Sequence, residues 1–235
     1  MQNLYEAVGA TTYPGRGIIA GRTEDGEKAF FAYFIMGRSV NSRNRIFVRE
    51  GDGIRTEAFD PAKMEDPSLV IYAPVRKIGN NIIVTNGDQT DTIYDAVAGG
   101  KSFIDALRTR TFEPDAPNFT PRISMMANVE NGYSFVMSVL KAADPSGKSC
   151  LRCFYEYEHM EAGEGRFVHT YRCNGDPIPS FEGEPEVVRI PGGSLSEISD
   201  EIWNALDQNN RVSLWTETVN LKNGVTESRI MNSNQ

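Results

Sequence analysis

The chain has 235 residues, 40% of them apolar and 24% charged, with a formal net charge of −8. That balance belongs to an ordinary globular protein long enough to bury a sizeable core, and its acidic excess excludes a general nucleic-acid binder, whose affinity rests on neutralising phosphates. No run reaches the roughly eighteen apolar residues of a membrane-spanning helix. The N-terminus, MQNLYEAVGATTYPGRG, has neither the basic start nor the apolar core of a secretory signal. A cytoplasmic protein with neither nucleic acid nor membrane as partner is expected.

Residues 16–21 (RGIIAG) and 29–36 (AFFAYFIM) read as a strand pair around Glu24-Asp25-Gly26-Glu27. The second run is almost wholly apolar, which suits a central strand covered on both faces. It leads into residues 37–45 (GRSVNSRNR), which carry Arg38, Arg43 and Arg45. Guanidinium forks match phosphate oxygens. This basic loop, directly after a buried strand in an acidic chain, is therefore a candidate anion site. Residues 46–48 and 54–59 form another hairpin around Glu50-Gly51-Asp52-Gly53.

Two further strand-like runs, 69–78 (LVIYAPVRKI) and 81–85 (NIIVT), meet at Gly79-Asn80. Pro74 cannot donate to a ladder and places the first run at an edge or a bulge. Residues 86–92 (NGDQTDT) are all polar or glycine, a loop set on rigid strands where binding groups concentrate. Thr92 and Asp95 then open a short helix, Gly99-Gly100 ends it, and Ser102 with Asp105 opens a second. Prolines at 114, 117 and 121 fix the shape of residues 111–122 (TFEPDAPNFTPR). They hold Glu113, Asp115, Asn118, Thr120 and Arg122 in a loop suited to proton transfer or substrate positioning.

From residue 123 the pattern is mainly strands, at 123–129, 133–140, 151–159, 165–171 and 187–190, with a hairpin turn at Glu130-Asn131-Gly132. Ser194 and Glu197 cap an amphipathic helix carrying Leu195, Ile198, Ile202 and Leu206, and residues 211–221 close the chain as a strand. Long runs of strands with two helical regions make the fold α+β. No linker divides it, so residues 1–235 are read as one domain.

Cys150, Cys153 and Cys173, even with His159 or His169, match no standard zinc module and read as reduced structural thiols. There is no Walker loop, GxGxxG or HExxH. The candidate groups are Arg38, Arg43, Arg45, Tyr72, Asn86, Asp88, Asp91, Glu113, Asn118 and Arg122. They suit a polar anionic ligand and proton transfer without a metal or cofactor.

Together the motifs resemble the archaeal-type inosine monophosphate (IMP) cyclohydrolases. The resemblance rests on Gly17–Gly21 with Arg22, on Ala32-Tyr33 leading to Gly37-Arg38-Ser39 and Asn44-Arg45, and on Ile71-Tyr72. It continues in Val84-Thr85-Asn86-Gly87 with Thr90-Asp91-Thr92-Ile93, and in Glu113 with Asn118-Phe119-Thr120-Pro121-Arg122-Ile123. It covers roughly residues 16–140. It implies a four-layer α-β-β-α sandwich resembling the N-terminal nucleophile hydrolases without their nucleophile, and Met1-Gln2 supplies none. It further implies ring closure of 5-formamidoimidazole-4-carboxamide ribonucleotide (FAICAR) to IMP, in purine biosynthesis. On that reading Arg38 and Tyr72 contact the formyl oxygen and carboxamide, and Glu113 shuttles the proton. Asn86 and Asp88 read the imidazole and ribose, Arg43, Arg45 or Arg122 hold the phosphate, and Asn118 also binds substrate. The partner is a small-molecule purine ribonucleotide, and homo-oligomerisation stays open. The alternative is an inactive nucleotide-binding or sensor protein on the same scaffold. A binder has no need of the Glu113 carboxylate, which favours the enzyme.

Overall fold

The computed structural model describes residues 1–64, 67, 69–130 and 132–234. In chain order the elements are β1 (Gln2–Asn3), α1 (Leu4–Val8), β2 (Arg16–Arg22), β3 (Lys28–Met36), α2 (Val40–Arg43), β4 (Arg45–Glu50) and β5 (Gly53–Ala58). They continue with β6 (Val75–Ile78), β7 (Asn81–Thr85), α3 (Gln89–Ala98), α4 (Phe103–Arg108), β8 (Arg122–Asn128), β9 (Ser134–Ala142) and β10 (Cys150–Tyr157). Last come β11 (Glu164–His169), β12 (Glu186–Arg189), α5 (Leu195–Ala205), β13 (Arg211–Asn220) and β14 (Thr226–Asn232). The fold is α+β. Two seven-stranded sheets run in the orders β1-β12-β11-β2-β3-β13-β14 and β10-β9-β8-β7-β6-β5-β4. All pairings are antiparallel except that of β1 with β12.

Strand alternation sets the packing, because successive side chains point to opposite faces. In β3, Ala29, Phe31, Tyr33 and Ile35 join a core that also takes Phe47, Ile54, Val84, Ile123, Met125 and Val139 from the other sheet. The alternate residues Phe30, Ala32 and Phe34 pack against Leu4 and Val8 of α1 and Leu195, Ile198 and Ile202 of α5. Ile83 and Leu140 turn the other way, onto Ile93 of α3 and Phe103 and Leu107 of α4. The apolar reading of residues 29–36 is thereby explained: both faces of β3 are covered. Among the described residues no helix is long and apolar enough to cross a membrane.

Several expectations need correction. Residues 69–78 are not one strand. Pro74 confines β6 to Val75–Ile78, while Tyr72 is held beside β5 by its N–H donating to Thr56 Oγ1 at 2.8 Å and its carbonyl accepting from Thr56 N at 2.9 Å. Residues 86–92 are not all loop: α3 starts at Gln89, three residues ahead of Thr92, with Asp88 at its N-cap. The basic loop after β3 contains the short helix α2, capped by Ser39 and Ser42. Helix α1 had no counterpart in the sequence reading. The chain does not close on β13 either, since β14 follows it across Asn223-Gly224 and pairs along its length. The turn expected at Glu130-Asn131-Gly132 involves residue 131, which lies outside the described residues. The Ser102 and Ser194 caps occur as expected, each accepting a backbone N–H three residues on.

Candidate active site

Strand registers bring one set of strand ends together. Arg16 pairs with Ile35, His169 with Gly17, and Thr85 with Ser124. The start of β2, the end of β3, the end of β7, the start of β8 and the end of β11 therefore share one edge of the inter-sheet space. Side chains in register with the core residues of their strands must point into that space. Arg16 is in register with Ile18, and Arg45 with Phe47. A buried charge is costly unless hydrogen-bonded or paired, so both positions call for partners.

Arg45 is completely buried. Its Nε donates to the Ser42 carbonyl at 2.8 Å and its Nη2 to that of Met36 at 3.4 Å, while Nη1 has no hydrogen-bond partner among the described residues. Burial lowers its pKa from the usual arginine value, and neighbouring Arg16 adds to the effect against the Tyr72, Tyr33 and Tyr13 hydroxyls. Arg16 has a side chain 11% exposed, with Nη2 3.9 Å from Glu113 Oε2, and its Nε has no hydrogen-bond partner among the described residues. Burial pulls its pKa down, but Glu113 first, then Tyr171, Tyr72 and Tyr13, hold it above the ordinary value. Tyr33 and Tyr72 share a hydrogen bond of 2.7 Å between their hydroxyl oxygens. Burial raises the Tyr33 pKa.

Glu113 is 2% exposed. Burial raises its pKa, and the attraction of Arg16 and Arg122 does not cancel that effect. Its backbone N–H donates to the Thr120 carbonyl at 2.9 Å, so the proline-stiffened loop closes on itself. Asp115 accepts from Thr120 N at 2.6 Å and from the Thr120 hydroxyl. The Thr120 oxygen then takes a hydrogen bond from the Tyr171 hydroxyl. Burial pushes the Tyr171 pKa up to about 12, which keeps it neutral and able to donate.

Behind Glu113 lies a second network. Arg122 Nη1 donates to Gln89 Oε1 at 2.6 Å and to Asp88 Oδ1 at 2.7 Å, and Arg110 binds the other Asp88 oxygen at 2.5 Å. Burial raises the Asp88 pKa, but these two arginines outweigh it and leave it lowered. Asn86 Oδ1 accepts from Gln89 Nε2 and Ile123 N, both at 2.9 Å, and its Nδ2 donates to the Pro121 carbonyl at 2.9 Å. Asn86 thus ties the α3 start to the proline loop. Gly87 lets this network close up: a Cβ there would lie 2.6 Å from Arg122 Nη1 and 2.7 Å from Gln89 Oε1 and would push those two side-chain ends aside.

The structure therefore gathers Arg45, Tyr72, Glu113 and Arg122 of the expected residues, with Asn86 and Asp88 in their supporting network. Asn118 lies in the same loop, its Oδ1 accepting from Ile178 N at 3.1 Å. Arg38 is at the rim, where it donates to Asn174 Oδ1 at 2.6 Å and the Gly175 carbonyl at 2.8 Å and lies over the Tyr13 ring. Arg43 is exposed and turned to the Gly37 carbonyl and Asn210. Asp91 pairs with Arg76 at 2.7 Å, and both line the cavity beside Tyr72. Arg16, Tyr33, Gln89 and Tyr171 were missed in the sequence reading. A cavity of about 540 Å³ opens beside Tyr72, between the β4–β5 hairpin and β6. Its cations are paired, Arg55 with Glu50, Arg76 with Asp91 and Lys77 with Glu217. Among the described residues no three His, Cys, Asp or Glu side chains gather as a metal site.

A family model described as "IMP cyclohydrolase-like protein" matches residues 13–224, an interval that spans the whole cluster. The chain belongs to that family. It is 32% identical over 184 residues to an IMP cyclohydrolase of Methanopyrus kandleri, covering 72% of this chain and 89% of the relative. It is 30% identical over 194 residues to one from a strain of Methanococcus maripaludis, covering 80% and 85%. A relative of the same name from Methanothrix thermoacetophila is 26% identical over 175 residues.

Proposed function

We propose that the protein is an enzyme of purine biosynthesis that closes the FAICAR ring to give IMP and water. The observation that carries this reading is Glu113. In a member of an IMP cyclohydrolase-like family, it is a carboxyl that burial makes more basic, within reach of Arg16 and Arg122. In the reaction the carboxamide nitrogen forms a bond to the formyl carbon and gives up one proton. The carbonyl electron pair moves onto oxygen, the C–O bond then breaks, and the formamido nitrogen loses its proton as the new C=N bond forms. The two protons leave with that oxygen as water, so no net proton is consumed. One group able to take and return a proton is enough, and a carboxyl with a raised pKa is matched to that task. Amide nitrogen is a poor nucleophile, so holding the two side arms of the imidazole together supplies a further large part of the rate.

Tyr72 is placed against the reacting carbonyl groups, and Glu113 is the proton shuttle. Arg122 and Arg43 attract the phosphate, with Arg38 at the rim over Tyr13. Asp88, Asn86 and Asn118 fix the loops around the ribose and base. The scaffold is read as a four-layer α-β-β-α sandwich of the N-terminal nucleophile hydrolase kind, acting as one cytoplasmic domain over residues 1–235. The packing of α1 and α5 outside one sheet and of α3 and α4 outside the other supports this.

The test is to mix the purified protein with FAICAR without added metal and follow IMP by ultraviolet absorbance. Turnover is expected, with Glu113→Gln slowed about 10²- to 10⁴-fold, the usual contribution of general acid–base catalysis. Tight IMP binding without turnover would make the protein a nucleotide-binding relative instead.

A further inference from the structure

Four strands form the outer edges of the two sheets: β1, β14, β10 and β4. An edge strand carries a row of unpaired N–H and C=O groups that invites another strand unless something blunts it. β1 is only two residues long. β4 and β14 cover each other. Asn232 exchanges two hydrogen bonds with the Phe47 backbone, at 2.8 and 3.1 Å, and Arg49 donates to the Ser228 hydroxyl and carbonyl at 2.8 and 3.0 Å. β10 has no such cover. Its eight residues stay in unbroken antiparallel register with β9 and include no proline, glycine or lysine. Among the described residues, no backbone group outside β9 bonds the β10 backbone. No residue of β10 is buried, and Leu151 is 44% exposed.

We propose that β10 pairs antiparallel with β10 of a second copy of this chain, about a twofold axis at Phe154, joining two seven-stranded sheets into one. This pairing stands apart from the cyclohydrolase reading and needs nothing from it. What selects a second copy is the order of residues in the strand. A twofold interface must be self-complementary. With Phe154 opposite its own counterpart, Arg152 stands opposite Glu156 of the second copy, and Glu156 opposite the second Arg152. Directly opposed residues share a sheet face, where unlike charges attract and like charges repel. Both charges are available. Arg152 Nε and Nη2 donate to the Arg110 carbonyl at 3.0 and 2.7 Å, which fixes the guanidinium, yet among the described residues it meets no carboxylate. Glu156 is exposed and forms no ion pair among the described residues. On the other face the same register sets Leu151 against Tyr157 and Cys153 against Tyr155, pairs of the apolar and aromatic kind that stabilise ladders. An axis at Cys153 would set Arg152 against Phe154. One at Tyr155 would set it against Glu158, beyond the end of the strand.

The experiment is sedimentation velocity of the full chain over about 1–100 µM, in reducing buffer so that the exposed Cys173 forms no cross-link. Amide hydrogen exchange is followed on the same samples. One pair of edge strands buries less than the roughly 1,600 Å² of a standard interface, so a dimer that forms with rising concentration is expected. Exchange within residues 150–157 should slow as it forms. Arg152→Glu and Glu156→Arg should each weaken association about tenfold or more, because like charges then oppose each other twice per dimer. Glu156→Arg leaves the bonds from Arg152 to Arg110 in place, and circular dichroism checks the fold of each variant. Carrying both substitutions restores unlike charge at both positions and should bring the dimer back. A chain that stays monomeric at every concentration overturns the proposal. So does a dimer that Glu156→Arg leaves unchanged, or one that forms without slower exchange in β10.

Discussion

The hydroxyl pair Tyr33–Tyr72 offers the sharpest test of the geometry. Their oxygens are 2.7 Å apart, Tyr33 is fully buried and Tyr72 nearly so. Tyr33→Phe keeps the ring and its stacking on Phe47, whose centroid is 5.6 Å away, and deletes only the oxygen. The Tyr72 hydroxyl then loses its partner inside the protein, at a cost of about 1–3 kcal/mol. For a chain of this size each kcal/mol moves Tm by about 2–4 °C, so Tm should fall by roughly 2–12 °C. Tyr72→Phe should cost a similar amount, because it strands the Tyr33 oxygen. Replacing both partners of a buried hydrogen bond by apolar groups of the same shape is close to neutral. The double variant should therefore be no less stable than either single one, a coupling of at least about 1–3 kcal/mol in the double-mutant cycle. On the proposed reading catalysis separates the two residues: Tyr72→Phe removes a group assigned to the reacting carbonyls, and Tyr33→Phe only loosens it. Denaturant melts of the four proteins and their FAICAR turnover give both readouts. Single effects that sum to the double within about 0.5 kcal/mol, the level expected of independent sites, would refute the contact.

Three further expectations concern the groups around Glu113. Its pKa is raised in the fold, mainly by burial against the pull of Arg16 and Arg122. Its contribution is therefore present below the unfolded carboxyl value and lost as pH rises through the folded one. Glu113→Gln should gain Tm relative to the parent between acid and neutral pH while losing turnover, and a parallel pair of Tm–pH curves would contradict this. Asp88 has the opposite sign: Arg110 and Arg122 overcome burial and lower its pKa, so its contribution is present above the unfolded value and lost as pH falls through the folded one. The Tm gap between parent and Asp88→Asn at pH 7 should close in acid, and a gap that stays constant would remove the ion pairs from the account. Gly87→Ala drives a methyl to 2.6 Å from Arg122 Nη1 and should disturb the charge-assisted bonds to Asp88 and Gln89. At about 1.5–3 kcal/mol this lowers Tm by roughly 3–12 °C, and an unchanged melt would show that the network shifts without loss.

Much of the architecture was legible because it follows from periodicity. The unbroken apolar run of β3 announced a strand covered on both sides, and Ser194 with Glu197 announced α5 by its capping box. What failed was local chemistry read without its partners. Gln89 and Thr90 look like loop residues, yet Arg122 and Asn86 hold the Gln89 amide and Thr85 takes the Thr90 hydroxyl, so the helix can start inside a polar run. The pair Asn223-Gly224 carried a plain hairpin signal that pointed to β14 and went unread. For the site, charge clustering was a partial guide. It singled out Arg38 and Arg43, which lie at the rim and the surface, together with Arg45, which is buried in the cluster, and it passed over Arg16. Register was the better guide, since Arg16 falls on the same strand face as Ile18 and Ala20. A charged residue on the core side of a strand is the exception to explain. Tyr33 and Tyr171 gave no such mark, because a tyrosine in a strand is ordinarily core.

The charge arrangement also explains how an acidic chain can hold a nucleotide. The net charge of −8 repels an anion at long range, and the first cations a phosphate meets at the rim are Arg38 and Arg43. Deeper in, Arg122 is already answered by Asp88, and Arg110 shares the same carboxylate. Of the inner cations, Arg16 meets Glu113 only at 3.9 Å and Arg45 meets no carboxylate among the described residues, at positions where little solvent reaches and a charge interaction is screened least. Salt should therefore weaken the encounter with substrate far more than the chemical step, which separates the rim arginines from the buried ones. In a turnover series of rising ionic strength, KM should climb while kcat holds. A kcat that falls as KM climbs would place the working cations at the surface and leave the buried pair as structure.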